Sequence, residues 1–341
     1  MKIRETLTYD DVLLVPQYSD IKSRKEVDIG NDLDHSTHLK LPVISSPMDT
    51  VTTAEMAICL SRSGGMGVVH RYNTPTEQVA IIKRIREEVN TRTVAAAVGV
   101  TCDYLQRAAN LYDAGVNIIC IDIAHGHHIL MENAIKAIRK ELGTSLHIMA
   151  GNVATREGYE ALADWGADSV RCNVGGGSIC STRIQTGHGV PGLQTIFDCS
   201  NSDREARIIA DGGIRSSGDI VKALAAGADF VMLGSMLAGT EQSPGFVIED
   251  SSGTQYKLYR GMASKEAQVH WRGKYSSNEG ISTRIPYKGS VEDVMRDIKN
   301  GITSGFSYSG VRNIEELWGK AHFVRQTNAG LGESKTHILS R

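Results

Sequence analysis

Cys180 stands in Gly175-Gly176-Gly177-Ser178-Ile179-Cys180-Ser181-Thr182, a glycine-rich run with no apolar face in which to bury a thiol. Loop amides around such a cysteine stabilise its thiolate, which attacks an electrophilic carbon while the Thr182 hydroxyl, two residues on, moves a proton. The plainer alternative is a cysteine in a flexible turn. Three adjacent glycines also expose carbonyls able to coordinate a monovalent cation. Asp211-Gly212-Gly213 and Gly234-Ser235 are small-residue turns with free main-chain amides, and that pairing, with the following helix N-terminus expected to add its positive end, suits phosphate. A lone Asp-Gly-Gly would be only a turn.

In IDIAHGHH, Asp122 ends the fourth apolar run, with His125, His127 and His128 just beyond it. Zinc is one reading, but no second cluster of ligands accompanies these histidines, and a hydrogen-bonding aspartate is the commoner reading. In SSPMDT, Met48 is expected to pack against a bound ligand, and Ser46 is either a phosphate donor or a turn hydroxyl.

These residues need a scaffold, and short β-branched runs closed by Gly, Asp or Ser supply one. They fall at 41–46, 66–70, 94–100, 117–122, 146–150, 169–172, 207–211 and 230–233, with helical patterns between them. The segment 75–88 places Val79, Ile82 and Ile85 on one face, and 217–226 ends at Gly227. Eight strand-then-helix units with near-continuous apolar strands predict an α/β fold, a parallel (β/α)8 barrel, formed by the whole chain 1–341 as one domain. Most strands lie about 20 to 30 residues apart, but the sixth-to-seventh step is longer, and its surplus directly follows the sixth strand. Surplus there reads as an active-site loop. A second surplus, 238–287, has little periodicity and is expected to be a flap or a loose excursion.

Of 341 residues, 37 are Lys or Arg and 39 are Asp or Glu, so the formal net charge is −2. No broad basic field attracts nucleic acid or an anionic membrane, so an anionic ligand must be held locally. Glycine, at 35 residues, is more frequent than usual and is consistent with close backbone approaches. The six cysteines form no CxxC pair, which argues against a disulfide framework. No stretch of about 18 apolar residues occurs, and a cytoplasmic location is expected.

LTYDDVLLVP, ISSPMDTVT, AGNVAT, GGGSICSTR, IADGGIRSSGDIVKALAAGADFVMLGS and YRGMAS occur in this order along essentially the whole chain. Together they resemble the IMP dehydrogenase and GMP reductase family. The resemblance implies a homotetrameric barrel acting at carbon 2 of a purine mononucleotide, with a cysteine nucleophile, a nicotinamide cofactor and, in the dehydrogenases, potassium. Carried over by position, it implies Cys180 as nucleophile and Asp211 as ribose ligand. Ser178, Gly213, Gly234, Ser235 and Tyr259 would bind phosphate, and Ser46, Met48, Gly261 and Met262 would complete the substrate site. Asp122, Ala124 and Asn152 would lie beside the cofactor, and the carbonyls of Gly175, Gly177 and Cys180 would hold potassium. Two positions depart from the family pattern: Gly176 stands where proline is usual and Asn173 where glycine is usual, implying a looser cation loop.

The flap decides which member the chain resembles. Dehydrogenases carry an adjacent Arg-Tyr pair there to activate water, whereas here Arg272 and Tyr275 lie three apart in WRGKYSSNEG. That run, followed by RIPYKG, resembles the reductases, whose flap glutamate works with the loop threonine; Glu279 and Thr182 match that pair. The stretch Tyr72 to Thr93 has no room for the regulatory CBS modules that dehydrogenases generally insert. DIAHGHH and the tail AGLGESKTH, whose Glu333 would help hold a neighbouring subunit's cation, look like dehydrogenases instead. The expected function is therefore NADPH-dependent reduction of GMP to IMP and ammonia, the alternative being oxidation of IMP to XMP with NAD. A catalytically silent nucleotide-binding regulator and a flavin-dependent barrel enzyme are the other readings.

Overall fold

A computed structural model describes residues 3–89, 93–276 and 278–336. The first two residues of the chain, part of the Tyr72–Thr93 stretch, Ser277 of the flap and His337 of the tail motif lie outside them. Eight strands close a parallel barrel: β1 Val43–Ser45, β2 Met66–Val69, β3 Ala95–Val98, β4 Ile118–Asp122, β5 His147–Val153, β6 Ser169–Cys172, β7 Arg207–Asp211 and β8 Phe230–Leu233. β8 pairs back onto β1 through Val231–Val43 and Leu233–Ser45. The fold is thus the (β/α)8 barrel predicted from strand spacing.

Alternation along each strand builds two cores. Ile44, Val68, Ala95, Ala97, Ile118, Cys120, Met149, Ile209, Phe230 and Met232 fill the barrel interior. Their neighbours Val43, Val69, Ala96, Ile119, Ile148, Val170, Ala210 and Val231 face the helices. Both faces are buried, so the strands read as unbroken apolar runs. Seven surrounding helices are α1 Ala54–Arg62, α2 Pro75–Glu88, α3 Tyr104–Asp113, α4 Ile129–Leu142, α5 Arg156–Trp165, α7 Gly192–Ser200 and α8 Ser217–Ala225, and the short α6 Thr182–Thr186 lies in the loop after β6. Local chemistry sets their starts. At α2, Thr74 and Glu77 form a reciprocal cap ahead of Pro75, and at α8 the Ser216 hydroxyl accepts from Asp219 N–H.

An antiparallel hairpin, Asn31–Asp34 with Thr37–Leu39, plugs the N-terminal mouth by adding Leu33 and Leu39 to the interior core. Asp34 there bonds His147 Nδ1 at 2.8 Å, and His147 Nε2 lies 2.8 Å from Ser169 Oγ. At the other mouth, the described residues of the surplus 238–287 form regular elements rather than a loose excursion. Ile248–Glu249, Gln255–Arg260 and Ser282–Pro286 form an antiparallel sheet, and α9, Lys265–Arg272, lies between the second and third of these strands. The long helix α10, Val291–Ser309, then packs on α8 and α1 as the eighth barrel helix. No helix among the described residues is long and apolar enough to cross a membrane.

Candidate active site

β6 is the strand whose inward positions are both polar. Val170 and Cys172 face the helices, so Ser169 and Arg171 point into the barrel. Arg171, 6% exposed, lies between the inward carboxylates that end β4 and β7. Its NH1 donates to Asp122 Oδ1 at 2.7 Å, and its Nε and NH2 donate to Asp211 Oδ2 at 3.0 and 2.8 Å. Burial works against the guanidinium's charge, but Asp211 and Asp122 more than compensate, so its pKa rises. Burial alone would raise the Asp122 carboxyl, yet Arg171 and Arg71 hold it below the ordinary aspartate value. Asn152 adds a third donor to Asp211 Oδ2, at 2.8 Å. Asp211 Oδ1 has no protein partner among the described residues and faces a cavity of about 360 Å³, where it can accept from a sugar hydroxyl.

The loop after β6 forms the cavity's reactive wall. Cys180 Sγ lies 3.1 Å from Thr182 Oγ1 at the start of α6. The flap is stitched to this loop by main-chain bonds: Ser181 N–H donates to Glu279 O and Ile281 N–H to Ile179 O, both at 3.0 Å, and Cys180 pairs with Gly280 as a β-bridge. This brings half-buried Glu279 into the cavity beside Cys180 and Thr182. Among the described residues, no direct hydrogen bond joins the Glu279 carboxylate to Thr182.

The two small-residue turns meet the same cavity. Gly212 and Gly213 have φ of 85° and 79°, which favours glycine, and they sit against the Gly175-Gly177 run, where a Cβ on Gly212 would fall 3.2 Å from Gly177 N. Gly234 is crowded by the Tyr259 hydroxyl, 3.0 Å from where its Cβ would stand, with Met48 Sδ and Ser46 Oγ close behind. Burial raises the Tyr259 phenol to about 12, opposed by a hydrogen bond with Ser178, so it is neutral and able to donate to an anion. Gly213, Gly234, Ser235, Ser178 and Tyr259 all line the cavity, as do Ser46, Met48, Gly261, Met262, Ala124, Asp122 and Asn152. Every residue assigned from sequence to catalysis, substrate or cofactor thus faces one space. The histidines after Asp122 do not complete a metal site. All three are exposed, the His128 ring caps α4 by accepting from Leu130 N–H, and no group of three or more His, Cys, Asp or Glu among the described residues could hold a metal.

Several lining residues carry no motif in the sequence. Arg171 has a visible signal, a charge inside a short strand whose other residues are small or apolar. Arg71 and Tyr72 follow β2, and Tyr72 stacks on Trp271 of α9 with centroids 5.9 Å apart and donates its hydroxyl to Met262 O. Arg272 also reaches the cavity. Lys288, whose ammonium rests on the carbonyls of Ser235 and Met236, braces the last turn from below. These approaches depend on how the flap folds back, which local periodicity does not encode.

Residues 6–337 match the model of the IMP dehydrogenase / GMP reductase domain. Among curated relatives, the inosine-5'-monophosphate dehydrogenase of Cryptosporidium parvum is 39% identical over 98% of this chain and 96% of its own length. That of Nitrosopumilus maritimus (strain SCM1) is 32% identical over 99% of each, and the GMP reductase of Leishmania major is 31% identical over 99% of this chain and 98% of its own. A crystal structure of a cysteine-to-alanine variant of GMP reductase from Trypanosoma brucei, in complex with guanosine 5'-monophosphate, superposes with a TM-score of 0.92, at 31% identity, covering 98% of both chains. With an eight-stranded barrel, a cysteine on the loop after β6 and two glycine turns facing it, the chain belongs to the IMP dehydrogenase / GMP reductase family of oxidoreductases.

Proposed function

We propose that this chain is a GMP reductase, converting GMP to IMP and ammonia with NADPH. The observation that carries the reading is Glu279, held by main-chain bonds of its own segment in the cavity that contains Cys180 and Thr182. The similarity to a reductase structure that holds GMP supports the substrate class. Asp211 Oδ1 accepts from the ribose, and the turns at Gly213 and Gly234-Ser235, with Ser178 and Tyr259, take the phosphate. The Cys180 thiolate adds to carbon 2 of the purine. The amine leaves only once protonated, and the Thr182–Glu279 pair supplies that proton, leaving carbon 2 joined to sulfur as a thioimidate. Asp122, Ala124 and Asn152 would hold NADPH, which would supply hydride to carbon 2. Loss of the thiolate then yields IMP.

The alternative is oxidation of IMP with NAD, followed by hydrolysis to XMP. One observation favours it: Arg272 lines the cavity, where a guanidinium would assist water. A potassium ion would rest on the carbonyls of Gly175, Gly177 and Cys180, neutral oxygens suited to an alkali ion. Three oxygens do not enclose such an ion, so neighbouring subunits of a homotetramer would complete the shell. The proposed setting is cytoplasmic.

The test offers the purified chain GMP with NADPH and, separately, IMP with NAD, following nicotinamide absorbance and released ammonia. Ammonia formed in step with NADPH loss supports the reductase; XMP formation with NADH appearance overturns it.

A further inference from the structure

The two departures from the family pattern meet in space. Asn173, directly after β6, has φ of 138°, a conformation that side-chain-bearing residues rarely adopt, and is 3% exposed. Its main chain is fixed on both sides: N–H donates to Val153 O at 2.7 Å, and its carbonyl accepts from Asn152 Nδ2 at 3.1 Å. Its amide occupies the space beside Gly176. A Cβ built on Gly176 would stand 2.1 Å from Asn173 Nδ2 and 2.7 Å from Oδ1, a full overlap that no small adjustment relieves. Asn173 at this rotamer therefore requires glycine at 176.

The amide is also a tie. Nδ2 donates to Gly212 O at 3.2 Å, inside the Asp-Gly-Gly turn. Oδ1 accepts from Arg183 NH2 at 3.0 Å, and the same guanidinium donates to Val174 O and Val190 O at 3.0 and 2.6 Å. Arg183 lies in α6, one residue after Thr182. Asn173 thus joins the turn assigned to phosphate with the helix that starts at the partner of Cys180. A glycine at 173 would relieve the φ but leave Gly212 O and Arg183 without this link.

We propose that Asn173 is a positioning residue for the catalytic loop, seated in the space that Gly176 leaves open, so that positions 173 and 176 form a matched pair. The loop's rigidity comes from this buried amide and Arg183 instead of a stiff residue at 176. The role in turnover rests on the reading of Cys180 as nucleophile; the pairing does not.

A double-mutant cycle tests it with Asn173→Gly, Gly176→Ala and the two combined. The added methyl in Gly176→Ala should displace the amide and lower kcat by about 10²-fold while the nucleotide KM changes little, as misplacement of a reacting group does. Asn173→Gly should cost less, and the combined variant should return to the Asn173→Gly level. Iodoacetamide modification of Cys180, mapped by peptide in the nucleotide-free protein, should follow the same cycle: altered in Gly176→Ala and restored in the combined variant. If Gly176→Ala does not fold, recovery of a cooperative thermal transition in the combined variant supports the pairing, and its absence overturns it. Gly176→Ala behaving as wild type, or a combined effect equal to the product of the singles, also overturns it. Were wild type to turn over neither substrate pair, the functional reading would fall, while the modification rates would still decide the matched pair.

Discussion

The barrel carries a charged cluster at each mouth, built from inward positions of neighbouring strands, and the two differ in what they leave unsatisfied. At the N-terminal mouth, Asp34 accepts from His147 on one oxygen and from Ser36 N–H and Oγ, each at 2.8 Å, on the other. His147 spends its second nitrogen on Ser169. Every polar atom is used, and Leu33 and Leu39 seal the space. At the C-terminal mouth, Arg171 likewise bridges two carboxylates, but Asp211 keeps one oxygen free above an open cavity. The same barrel and the same kinds of residue give a structural plug at one end and an open cavity, the proposed binding site, at the other. The difference is one unclaimed acceptor and the absence of a lid of leucines.

Replacing the proposed nucleophile should break this contrast most sharply. Cys180→Ala is expected to reduce turnover on the order of 10⁴-fold or more, with the calorimetric Kd for GMP close to wild type, because phosphate and ribose contacts supply most of the grip. Retained turnover would remove covalent catalysis at this residue. Arg171→Met comes next: removing the guanidinium that bridges Asp122 and Asp211, and leaving them only Arg71 and Asn152 as side-chain partners, should cost about 3–5 kcal/mol in urea-unfolding stability and weaken nucleotide binding as well. His147→Leu, at the plugged mouth, should cost only about 1–3 kcal/mol, the penalty for leaving Asp34 Oδ2 and Ser169 Oγ unpaired, with kcat and KM unchanged. A loss of turnover in that variant would mean that the two mouths are coupled.

Acidification should separate the ends more gently. Burial lowers the His70 imidazole, at the exit of β2, from its ordinary value of 6.5 to about 4, with Asp49 opposing and Arg260 and Arg107 adding to the drop. The unfolded chain therefore binds a proton there that the folded chain refuses, and stability falls as pH falls from 6.5 toward 4. Asp34 is opposed by burial but held below its ordinary value of 3.8 by His147 and Ser36, so its contribution is present above 3.8 and fades only as pH falls below it. Urea midpoints measured against pH should show the first loss flattened by His70→Gln and untouched by Asp34→Asn.

The strands are legible in the sequence because burial on both faces leaves apolar runs that glycine and aspartate interrupt. The N-terminal hairpin is not: in Asn31–Asp34 and Thr37–Leu39, only Leu33 and Leu39 signal the core, amid Asp, His and Thr. The flap sheet hides for a stronger reason, since its pattern is inverted. Along Gln255–Arg260, Lys257 and Tyr259 are buried while Leu258 is exposed. Lys257 tolerates burial because its ammonium is taken up by the carbonyls of Thr240, Glu241 and Ser243. Cys180, Thr182 and the glycine turns are legible through motifs with a chemical rationale, and Glu279 only through the family resemblance of its flap run. Arg171 escapes a reading of its strand for hydropathy alone, and Asn173 escapes because its meaning lies in a neighbour three residues away.

The stack of Trp271 on Tyr72 gives the chain an optical reporter. The protein has three tryptophans. Trp318 donates its indole N–H to Leu224 O at 2.9 Å, and Trp165 lies beside the His127 ring. Trp271 alone joins the helix of the flap to the barrel rim, 5.9 Å from a tyrosine ring tilted by 15°. Lifting that helix exposes the indole to water, so its emission shifts to longer wavelength without any attached dye. In a chain with Trp165 and Trp318 replaced by phenylalanine, the remaining fluorescence would report any displacement of that helix from the rim.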